Sequence, residues 1–555
     1  MKKLWKVLKI GLIAIVALLI VLLNIYFLKV RIPSPDIEYN SELSDKERNE
    51  IGSYQYKLGN NLLKKNQYGL WEMYLEGNPY DRGLAFGRLA YELNVEKEEA
   101  FINEIRNKVP SEGFLNFLKY LVAWINRDLD DYINQEYLEE IYGSSKSMSD
   151  KFDFVGPKFH RILNYHAAHD IGHALQNMNL VGCTSFSVWD EQTDSSNILI
   201  GRNFDFYFGQ EFAKDKIIAF YNPDDGYKFA SVTWACFSGV VSGMNEKGLT
   251  ITLNSAKSAI PLKGKTPVSI IAREILQYAS NIEEAFAVAQ QHESFVSETF
   301  LIGSREDGKV ALIEKSQEET ALYYSDTSRL VVTNHFQSDE LINSEENVEY
   351  RSEGVSDYRY ERVNYLLDSI NTIGINDVAH IMRDRKGLNN DVLGMGNEKA
   401  INQLIAHHSV IFAPNELKIW VSASPYALGS YVGYDLHTVF SDGIQIDSVI
   451  EQSPFLESES YANYEVFLQY KEQIQNYLFR GGAPFLSDSQ IQEFVRSNPE
   501  SYLTYYFLAD YLKEVGQMQK AKEYYQIGLT KNIARTSERT HMENGLSEVN
   551  EQLLQ

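Results

Sequence analysis

The change of residue pattern at Cys183 is the feature that most restricts the fold of this 555-residue chain. Before it, the sequence reads as mostly helical, as over 42–65 and 115–142, where apolar residues recur at helical spacing among charges. After it, short β-branched and aromatic runs alternate with turn residues, and two helical stretches interrupt them. Strands, a helix pair and strands again predict sheet layers with helices outside them, which is an α+β fold.

The predicted strands share a high content of β-branched and aromatic residues. They cover 183–189, 197–200, 216–221, 228–237, 249–253, 299–303, 310–314, 321–324, 330–333, 408–412 and 417–421. Asn245-Glu246-Lys247-Gly248 reads as a hairpin turn, with glycine in the left-handed position. The two predicted helices cover 267–278 and 282–291, and Asn281 with Glu284 forms a capping-box pattern for the second.

The run from Ile10 to Leu28 is almost entirely apolar and, at 1.5 Å per residue, long enough to cross a bilayer of about 30 Å. No small-residue cleavage site follows it, so an uncleaved single-pass anchor is favoured over a signal peptide. Four lysines precede the run and two basic residues follow it. We therefore expect a cytoplasmic N-terminus and an extracytoplasmic body, periplasmic or on the cell surface.

The charge of the chain argues against a nucleic-acid partner. The net charge is −24 although the first 31 residues contribute +6, so the remainder carries −30. Phosphate backbones are bound by Lys and Arg, which this acidic body does not supply in excess.

Cys183 is the candidate nucleophile. A thiol reacts as its thiolate, which neighbouring positive charge favours. Arg202 and Asp205, one strand further along, supply a guanidinium that can hold the thiolate and a carboxylate that can orient its proton acceptor. The alternative is a disulfide with Cys236, the other cysteine of the chain, for which we favour an inert core thiol.

Three histidines fall on one face of a predicted helix just before Cys183. His166, His169 and His173 are spaced i, i+3 and i+7, with Asp170 beside them. Three imidazoles on one face can bind zinc, but a polar helix face is the plainer interpretation. We predict no metal and no cofactor.

The C-terminal residues are predicted to be helical, with one tetratricopeptide-like unit over 505–528. A single repeat does not bury its own apolar face. This tail is therefore expected to dock on the main body or on a protein partner.

Several motifs occur in a fixed order between residues 70 and 435. They are Leu75-Glu76-Gly77-Asn78-Pro79-Tyr80-Asp81-Arg82-Gly83 with Gly87-Arg88-Leu89, Gly182-Cys183-Thr184-Ser185, Gly201-Arg202-Asn203-Phe204-Asp205, Gly243-Met244-Asn245-Glu246-Lys247-Gly248-Leu249 with Asn254, Thr333-Asn334-His335 and Tyr358-Arg359-Tyr360-Glu361-Arg362. In this order they resemble the N-terminal-nucleophile hydrolases of the acyl-CoA:6-aminopenicillanate acyltransferase-like family, relatives of choloylglycine hydrolase and acid ceramidase.

The resemblance implies a four-layer αββα sandwich and a precursor that cuts itself between Gly182 and Cys183. It divides the chain into an anchor (1–31), a mostly helical prosegment (32–182), a catalytic domain (183–450) and a helical tail (451–555). The new α-amine, with an ordinary pKa of about 7.7–8.0, then accepts the thiol proton on the same residue.

The resemblance also assigns the other site residues. Asp205 orients the α-amine, Arg202 lies beside the thiolate, and Asn254 and Asn334 hold the oxyanion. Arg359 is the later arginine of the site, with Arg362 as the second in its motif.

The implied function is hydrolysis of linear amides through an acyl thioester on Cys183, with possible transfer of the acyl group to another amine. Substrates of the N-acyl amine, N-acyl amino acid, bile-salt-like or β-lactam side-chain type follow from the resemblance, and the sequence does not choose among them. Two alternatives stay open: a phospholipase B-like ester hydrolase on the same fold, and a non-catalytic membrane-anchored adaptor with a tetratricopeptide-like tail.

Overall fold

The computed structural model describes residues 2–38, 40–109, 111–174, 182–206, 209–259, 261 and 263–554. Their strands form two sheets. The larger has the order β1-β2-β3-β4-β7-β8-β9-β10-β11-β12-β13, and the smaller has the order β14-β5-β6-β15-β16-β17-β18.

The strands are β1 Asn49–Gly52, β2 Gln55–Leu58, β3 Asn61–Lys65, β4 Trp71–Gly77, β5 Thr184–Asp190, β6 Ser196–Asp205, β7 Ile217–Pro223, β8 Phe229–Thr233, β9 Ser242–Asn245, β10 Leu249–Ser255, β11 Glu298–Ser304, β12 Lys309–Lys315, β13 Thr320–Tyr323, β14 Arg329–Val332, β15 Ala406–Ala413, β16 Lys418–Ser422, β17 Tyr431–Asp435 and β18 Ser448–Ile450. The helices are α1 Lys2–Lys29, α2 Pro79–Leu89, α3 Tyr91–Lys108, α4 Glu112–Ile125, α5 Gln135–Ser145, α6 Lys158–Ala174, α7 Gln210–Ala213, α8 Val268–Tyr278, α9 Ile282–Gln291, α10 Glu345–Ser352, α11 Val355–Asp368, α12 Ile375–Met382, α13 Leu436–Asp442, α14 Glu459–Arg480, α15 Asp488–Ser497, α16 Tyr502–Glu514, α17 Met518–Leu529 and α18 Thr536–Leu554.

The helix predicted over 42–65 is wrong. Strands β1, β2 and β3 occupy this stretch and pair antiparallel with one another. The two residues between β2 and β3 are Gly59 and Asn60, and Gly59 has a φ of 59°, as a tight hairpin requires. Turn chemistry therefore outweighed the helical spacing of the apolar residues.

The segment before residue 183 is not a separate helical layer, because strand β4 joins it to the later part of the chain. β4 pairs in parallel with β7 over seven residues, from Trp71 opposite Ile217 to Gly77 opposite Pro223. The larger sheet is thus built from both sides of the Gly182–Cys183 bond.

The predicted alternation of strands and helices after Cys183 is confirmed. Helix α9 has the predicted bounds, and the Asn281 side chain caps it by accepting from the Glu284 N–H at 3.0 Å. The strand predicted over 228–237 is shorter, because β8 ends at Thr233 and Cys236 takes a left-handed φ of 67°.

The two sheets face each other across a shared apolar core. Ile218 and Phe220 of the larger sheet and Val410 and Phe412 of the smaller one are fully buried in it. A second core packs α8 and α9 on the larger sheet, and a third packs α11 and α12 on the smaller one. Helices therefore cover the outer face of each sheet.

Helices α2 and α5 cross at very close range through glycines. A Cβ on Gly83 would lie 1.9 Å from the Glu140 carbonyl oxygen. The Glu140 carboxylate pairs with Arg82 at 3.0 Å and with Arg273 of α8 at 3.1 Å, and all three side chains are buried. Such buried ion pairs are costly to break on one side, so they hold the N-terminal helices on the later part of the chain.

The C-terminal helices pack on the main body. Arg535 pairs with Glu398 at 2.7 Å, and the Asn397 side chain donates to the Asn532 carbonyl at 2.7 Å. Apolar side chains of α14 to α18 share one core with Val355 and Leu404. Of the two expectations for the tail, docking on the body is the one that the structure shows.

Helix α1 has a mean hydropathy of 2.8 over its most apolar window, and by length and composition it can cross a membrane as an anchor or a signal sequence does. Near its C-terminal end, the Tyr26 ring stacks on Trp124 of α4 at 5.9 Å.

Replacing Gly83 with alanine is expected to destabilise the protein by about 3 kcal/mol, because the added methyl group meets backbone rather than a flexible side chain. Gly113→Ala is the matched control, since the nearest atom to its Cβ would be 3.9 Å away. Thermal unfolding of the full chain in detergent measures both. Equal melting temperatures for the two variants would contradict the close crossing of α2 and α5.

Candidate active site

Cys183 lies directly before β5 and is 1% exposed. Its Sγ accepts a hydrogen bond from the Arg202 guanidinium at 3.7 Å. β5 pairs with β6 so that Ser185 stands opposite Arg202, and side chains two residues apart point to the same face of a sheet. The register of these two strands therefore directs Arg202 at the thiol. The Gly182 N–H, one residue earlier, donates to the Asp205 carbonyl at 2.9 Å.

The Arg202 guanidinium also reaches the other sheet. It donates to the Val241 carbonyl at 2.9 Å and makes further hydrogen bonds to Ser242 Oγ and the Leu253 carbonyl. Because these acceptors are fixed in or beside β9 and β10, the guanidinium is held in one orientation.

Burial dominates the electrostatics of the nucleophile in the uncut chain. It raises the pKa of Cys183 to about 11, although Arg202 pulls that pKa down. The expectation that Arg202 favours the thiolate is thus right in direction, but desolvation outweighs it. The thiol keeps its proton near neutral pH and needs a base.

Asp205 is the candidate for that base. Burial raises the pKa of its carboxyl to about 8, while Arg359 and Arg202 lower it. A carboxyl that titrates near neutral pH can both accept and return a proton.

The two asparagines bridge the sheets beside Cys183. The Asn254 side chain of β10 accepts from Ser185 Oγ at 2.7 Å and donates to the Thr333 carbonyl at 3.0 Å. The Asn334 side chain donates to the Ser255 carbonyl at 2.9 Å. In the uncut chain both amides are thus engaged with protein acceptors.

Arg359 of α11 holds the backbone of the nucleophile. It donates to the Cys183 carbonyl and, at 2.8 Å, to Thr184 Oγ1, and its other terminal nitrogen donates to Asn334 Oδ1 at 2.7 Å. Arg362 instead pairs with Asp384 at 2.8 Å.

One buried network thus brings together the six predicted site residues, Cys183, Arg202, Asp205, Asn254, Asn334 and Arg359. Their catalytic roles stay predictions.

Both cysteines are free thiols. Cys236 Sγ lies 3.4 Å from Asn94 Oδ1, and burial raises the pKa of this thiol well above its usual value. The disulfide alternative is therefore wrong, and Cys236 has the surroundings of an inert core thiol.

His166 is held as a structural histidine. Its Nδ1 bonds the Ile162 carbonyl at 2.9 Å and its Nε2 accepts from the Ser238 N–H at 3.0 Å, so neither nitrogen is free for a metal. The side chains of His169 and His173 lie outside the described residues. Within the described ranges no three His, Cys, Asp or Glu side chains are grouped as metal ligands.

Sequence reasoning missed a histidine pair behind Arg202. Ser242 Oγ accepts from Arg202 and is hydrogen-bonded to His408 Nε2 at 2.9 Å, and His408 Nδ1 is hydrogen-bonded to His407 Nδ1 at 2.9 Å. A bulge in β15 between Ala406 and His408 allows neighbouring imidazoles to meet on one face. The His-His doublet is visible in the sequence, but the bulge is not.

Gln403 is a second missed residue. Its side chain contacts both the Gly182 carbonyl and the Asp205 carboxylate. No motif surrounds it, so the sequence carried no signal for it.

The central part of the chain matches a known family. Residues 190–425 match the family described as acyl-coenzyme A:6-aminopenicillanic acid acyl-transferase. Over these residues the chain is similar to that family. The matched region begins just after Cys183 and contains the other predicted site residues, Arg202, Asp205, Asn254, Asn334 and Arg359.

Three relatives are similar to parts of the chain. A protein of Archaeoglobus fulgidus described as uncharacterized is 26% identical over 275 residues, which are 46% of this chain and 45% of the relative. Protein dcd1B of Dictyostelium discoideum is 22% identical over 49% of this chain and 54% of its own. N-acylethanolamine-hydrolyzing acid amidase of Caenorhabditis elegans is 24% identical over 37% of this chain and 58% of its own. The chain thus spans about half the length of the curated relatives it matches.

Two solved structures were also matched. The Caenorhabditis elegans N-acylethanolamine-hydrolyzing acid amidase ortholog gives a TM-score of 0.31 at 16% identity, covering 42% of this chain and 93% of that one. A mutant of conjugated bile acid hydrolase from Clostridium perfringens gives 0.33 at 14% identity, covering 49% and 97%. The similarity to the family rests on the match over 190–425.

Asp205→Asn is expected to stabilise the uncut chain at high pH only. The folded carboxyl keeps its proton up to about pH 8, against an ordinary pKa of 3.8, so its contribution to stability is present below pH 3.8 and is lost as pH rises through 8. The amide does not titrate. In a Cys183→Ala background, which holds the chain uncut, the melting temperature of Asp205→Asn should match its parent at pH 3.8 and exceed it above pH 8. An equal difference at both pH values would show that Asp205 is not the titrating group.

Proposed function

We propose that this protein is a self-processing cysteine amidohydrolase that cleaves linear amides through an acyl thioester on Cys183. The observation that carries the proposal is the surroundings of the Gly182–Cys183 bond. Its thiol lies against Arg202, and Asp205, with its pKa near 8, lies beside the bond. The similarity of residues 190–425 to the acyltransferase family supports the same reaction class.

The layer arrangement supports this proposal. Two sheets face each other and helices cover both outer faces, and we infer that this is the αββα sandwich of N-terminal-nucleophile hydrolases. Cys183 then stands at the start of a strand of one sheet while Arg202 reaches across to the other.

Self-cleavage begins at the Cys183 thiol. The ionised form of Asp205, which is the minor form at neutral pH, takes the thiol proton, Sγ adds to the Gly182 carbonyl carbon, and the proton passes to the amide nitrogen as the C–N bond breaks. The product is a thioester between Gly182 and Cys183 with a free α-amine, and water hydrolyses the thioester to the Gly182 carboxylate. Because Cys183 is 1% exposed in the uncut chain, substrates reach the thiol only after the site rearranges.

Turnover uses the new N-terminus. The α-amine, with an ordinary pKa of about 7.7–8.0, accepts the thiol proton, and Sγ attacks the substrate carbonyl. The amine product leaves with that proton, and water or a second amine takes up the acyl group. Asn254 and Asn334 are the candidate oxyanion donors once their contacts in the uncut chain are released.

The substrate class is proposed from one relative and from the membrane helix. The Caenorhabditis elegans relative is by name a hydrolase of N-acylethanolamines, which are N-acyl amines. We infer that α1 anchors the chain with the catalytic part outside the cytoplasm, as the basic residues before it favour. An anchored enzyme meets amides with lipid-like acyl chains at the membrane.

Cys183→Ala is expected to abolish both cleavage and turnover. Intact mass and N-terminal sequencing of wild-type protein should show a fragment beginning at Cys183, and the variant should stay a single chain with hydrolysis of an N-acylethanolamine at background. Cys236→Ala, the matched buried cysteine, should keep both. An uncut wild-type chain, or an active Cys183→Ala variant, would overturn the proposed mechanism. Faster turnover of the corresponding ester than of the amide would overturn the proposed substrate class.

A further inference from the structure

Gln403 holds the carbonyl of the bond that is proposed to be cut. Its side chain is buried, and Nε2 lies 2.9 Å from the Gly182 carbonyl oxygen and 3.3 Å from Asp205 Oδ2. The Gly182 carbonyl oxygen can only accept a hydrogen bond, so the amide nitrogen of Gln403 must face it. Across the described ranges, no other side chain donates to this carbonyl.

The segment that carries Gln403 is fixed on both sides. The Asn203 side chain donates to the Ile401 carbonyl at 3.1 Å, and the Asn402 N–H donates to the Asp384 carbonyl at 2.8 Å. Leu404 takes a left-handed φ of 58°, a strained conformation that the surrounding contacts must maintain. The Nε2–H donor is therefore positioned before any reaction starts.

We propose that Gln403 is a catalytic residue of self-cleavage, donating to the Gly182 oxygen as it becomes an oxyanion; this rests on the proposed self-processing. When Sγ adds to the carbonyl carbon, the π electrons move onto this oxygen, and they return when the C–N bond breaks. The same oxygen carries the charge again when water attacks the thioester. A donor already in place stabilises both states without reorganisation.

A small cavity beside Gly182 suits the second step. It holds about 10 Å³ and is lined by Gly182, Arg359, Gln403 and, from the tail, Arg535. This is about the volume that one water molecule requires.

Gln403→Met tests the role, because it conserves shape and removes the donor. We expect self-cleavage to slow by about 10²–10³-fold. Mass spectrometry during cell-free synthesis of the full chain in nanodiscs measures the cleavage rate. Gln277→Met is the matched control, since Gln277 is also a buried, hydrogen-bonded glutamine. That variant should cleave at the wild-type rate.

A second variant separates catalysis from folding. An ionised carboxylate has no proton to donate, so Q403E should cleave slowly at neutral pH and recover relative to wild type as pH falls. The Q403M ratio should stay flat with pH. If wild type is cut and Q403M is cut equally fast, the role of Gln403 is overturned while self-processing stands; if wild type is uncut, self-processing fails and the role with it.

Helix α4 carries an independent feature, an exposed aromatic face. None of its residues is buried, and its outward side chains are Phe114, Phe117, Tyr120, Leu121 and Trp124. Phe114, Phe117, Leu121 and Trp124 follow the i, i+3, i+7, i+10 spacing of one helix face. Apolar faces of this kind on a protein surface mark interaction sites.

The neighbours of this face indicate what covers it. Tyr26, near the C-terminal end of the apolar helix α1, donates to the Tyr120 carbonyl at 2.7 Å and stacks on Trp124. The guanidinium of Arg127 lies over the Trp124 ring at 4.6 Å. Tyr and Trp with basic residues at the end of an apolar span are typical of the membrane interface.

We infer that α4 lies in the surface of the lipid bilayer, with this face inserted beside the end of α1. An amphipathic helix of this type buries its apolar face about 5–10 Å into the headgroup region. Its last residue, Ile125, accepts from the Gly264 N–H at 2.8 Å, in the loop that follows Ser255 of the site. The bilayer would then adjoin the loop that follows Ser255 of the site.

An environment-sensitive fluorophore on introduced cysteines tests this in the Cys183→Ala background, which removes the proposed reactive thiol and leaves the buried Cys236 as the native cysteine. The full chain carries Phe117→Cys, Leu12→Cys within α1, or Val348→Cys, an exposed apolar control on α10. Each labelled variant is placed in phosphatidylcholine vesicles with and without a nitroxide-labelled phosphatidylcholine.

We expect the nitroxide lipid to quench the labels at 12 and 117 and to leave the label at 348 unchanged. Quenching at 12 alone overturns the insertion of α4 and leaves the anchor intact. Quenching at neither position overturns the anchor and the insertion together. A blue-shifted but unquenched label at 117 means that another protein copy covers the face, which also overturns the inference.

Discussion

Arg202 stands where the two sheets meet, and its guanidinium makes contacts on both sides of that boundary. It donates to the thiol of Cys183 in the smaller sheet and to backbone carbonyls in or beside β9 and β10 of the larger one. A buried cation without these acceptors would be very costly. The packing of the sheets and the position of the nucleophile therefore depend on the same side chain, and the site cannot be displaced without disturbing the core.

The uncut chain keeps its nucleophile unreactive through burial. Desolvation raises the pKa of Cys183 to about 11 and that of Asp205 to about 8, so at neutral pH both hold protons. Cleavage would change this balance, because a new α-amine introduces a base on the nucleophile itself. The strands before residue 183 belong to the same sheet as those after it, so the cut need not separate the two parts.

Much of the central fold was readable from the sequence, since strands and helices after Cys183 have strong residue patterns and clear turn residues. The strands over 49–65 were misread because apolar residues at helical spacing hid a Gly59-Asn60 hairpin turn. The order of the motifs identifies the six site residues, but it does not predict the hydrogen bonds that connect them. Gln403 lies in a loop that Asn203 and Asp384 fix from distant positions in the sequence, and no local pattern encodes such a contact.

Trapping of the acyl-enzyme is the most direct test of the central claim, that the thiol of Cys183 is the nucleophile and carries its own base. The protein would be mixed with an N-acylethanolamine, quenched in acid during turnover and analysed by peptide mass spectrometry. The account predicts a peptide that begins at Cys183, with a free α-amine and the acyl group on Sγ. An acyl group on another residue, or on a Cys183 still joined to Gly182, would contradict it.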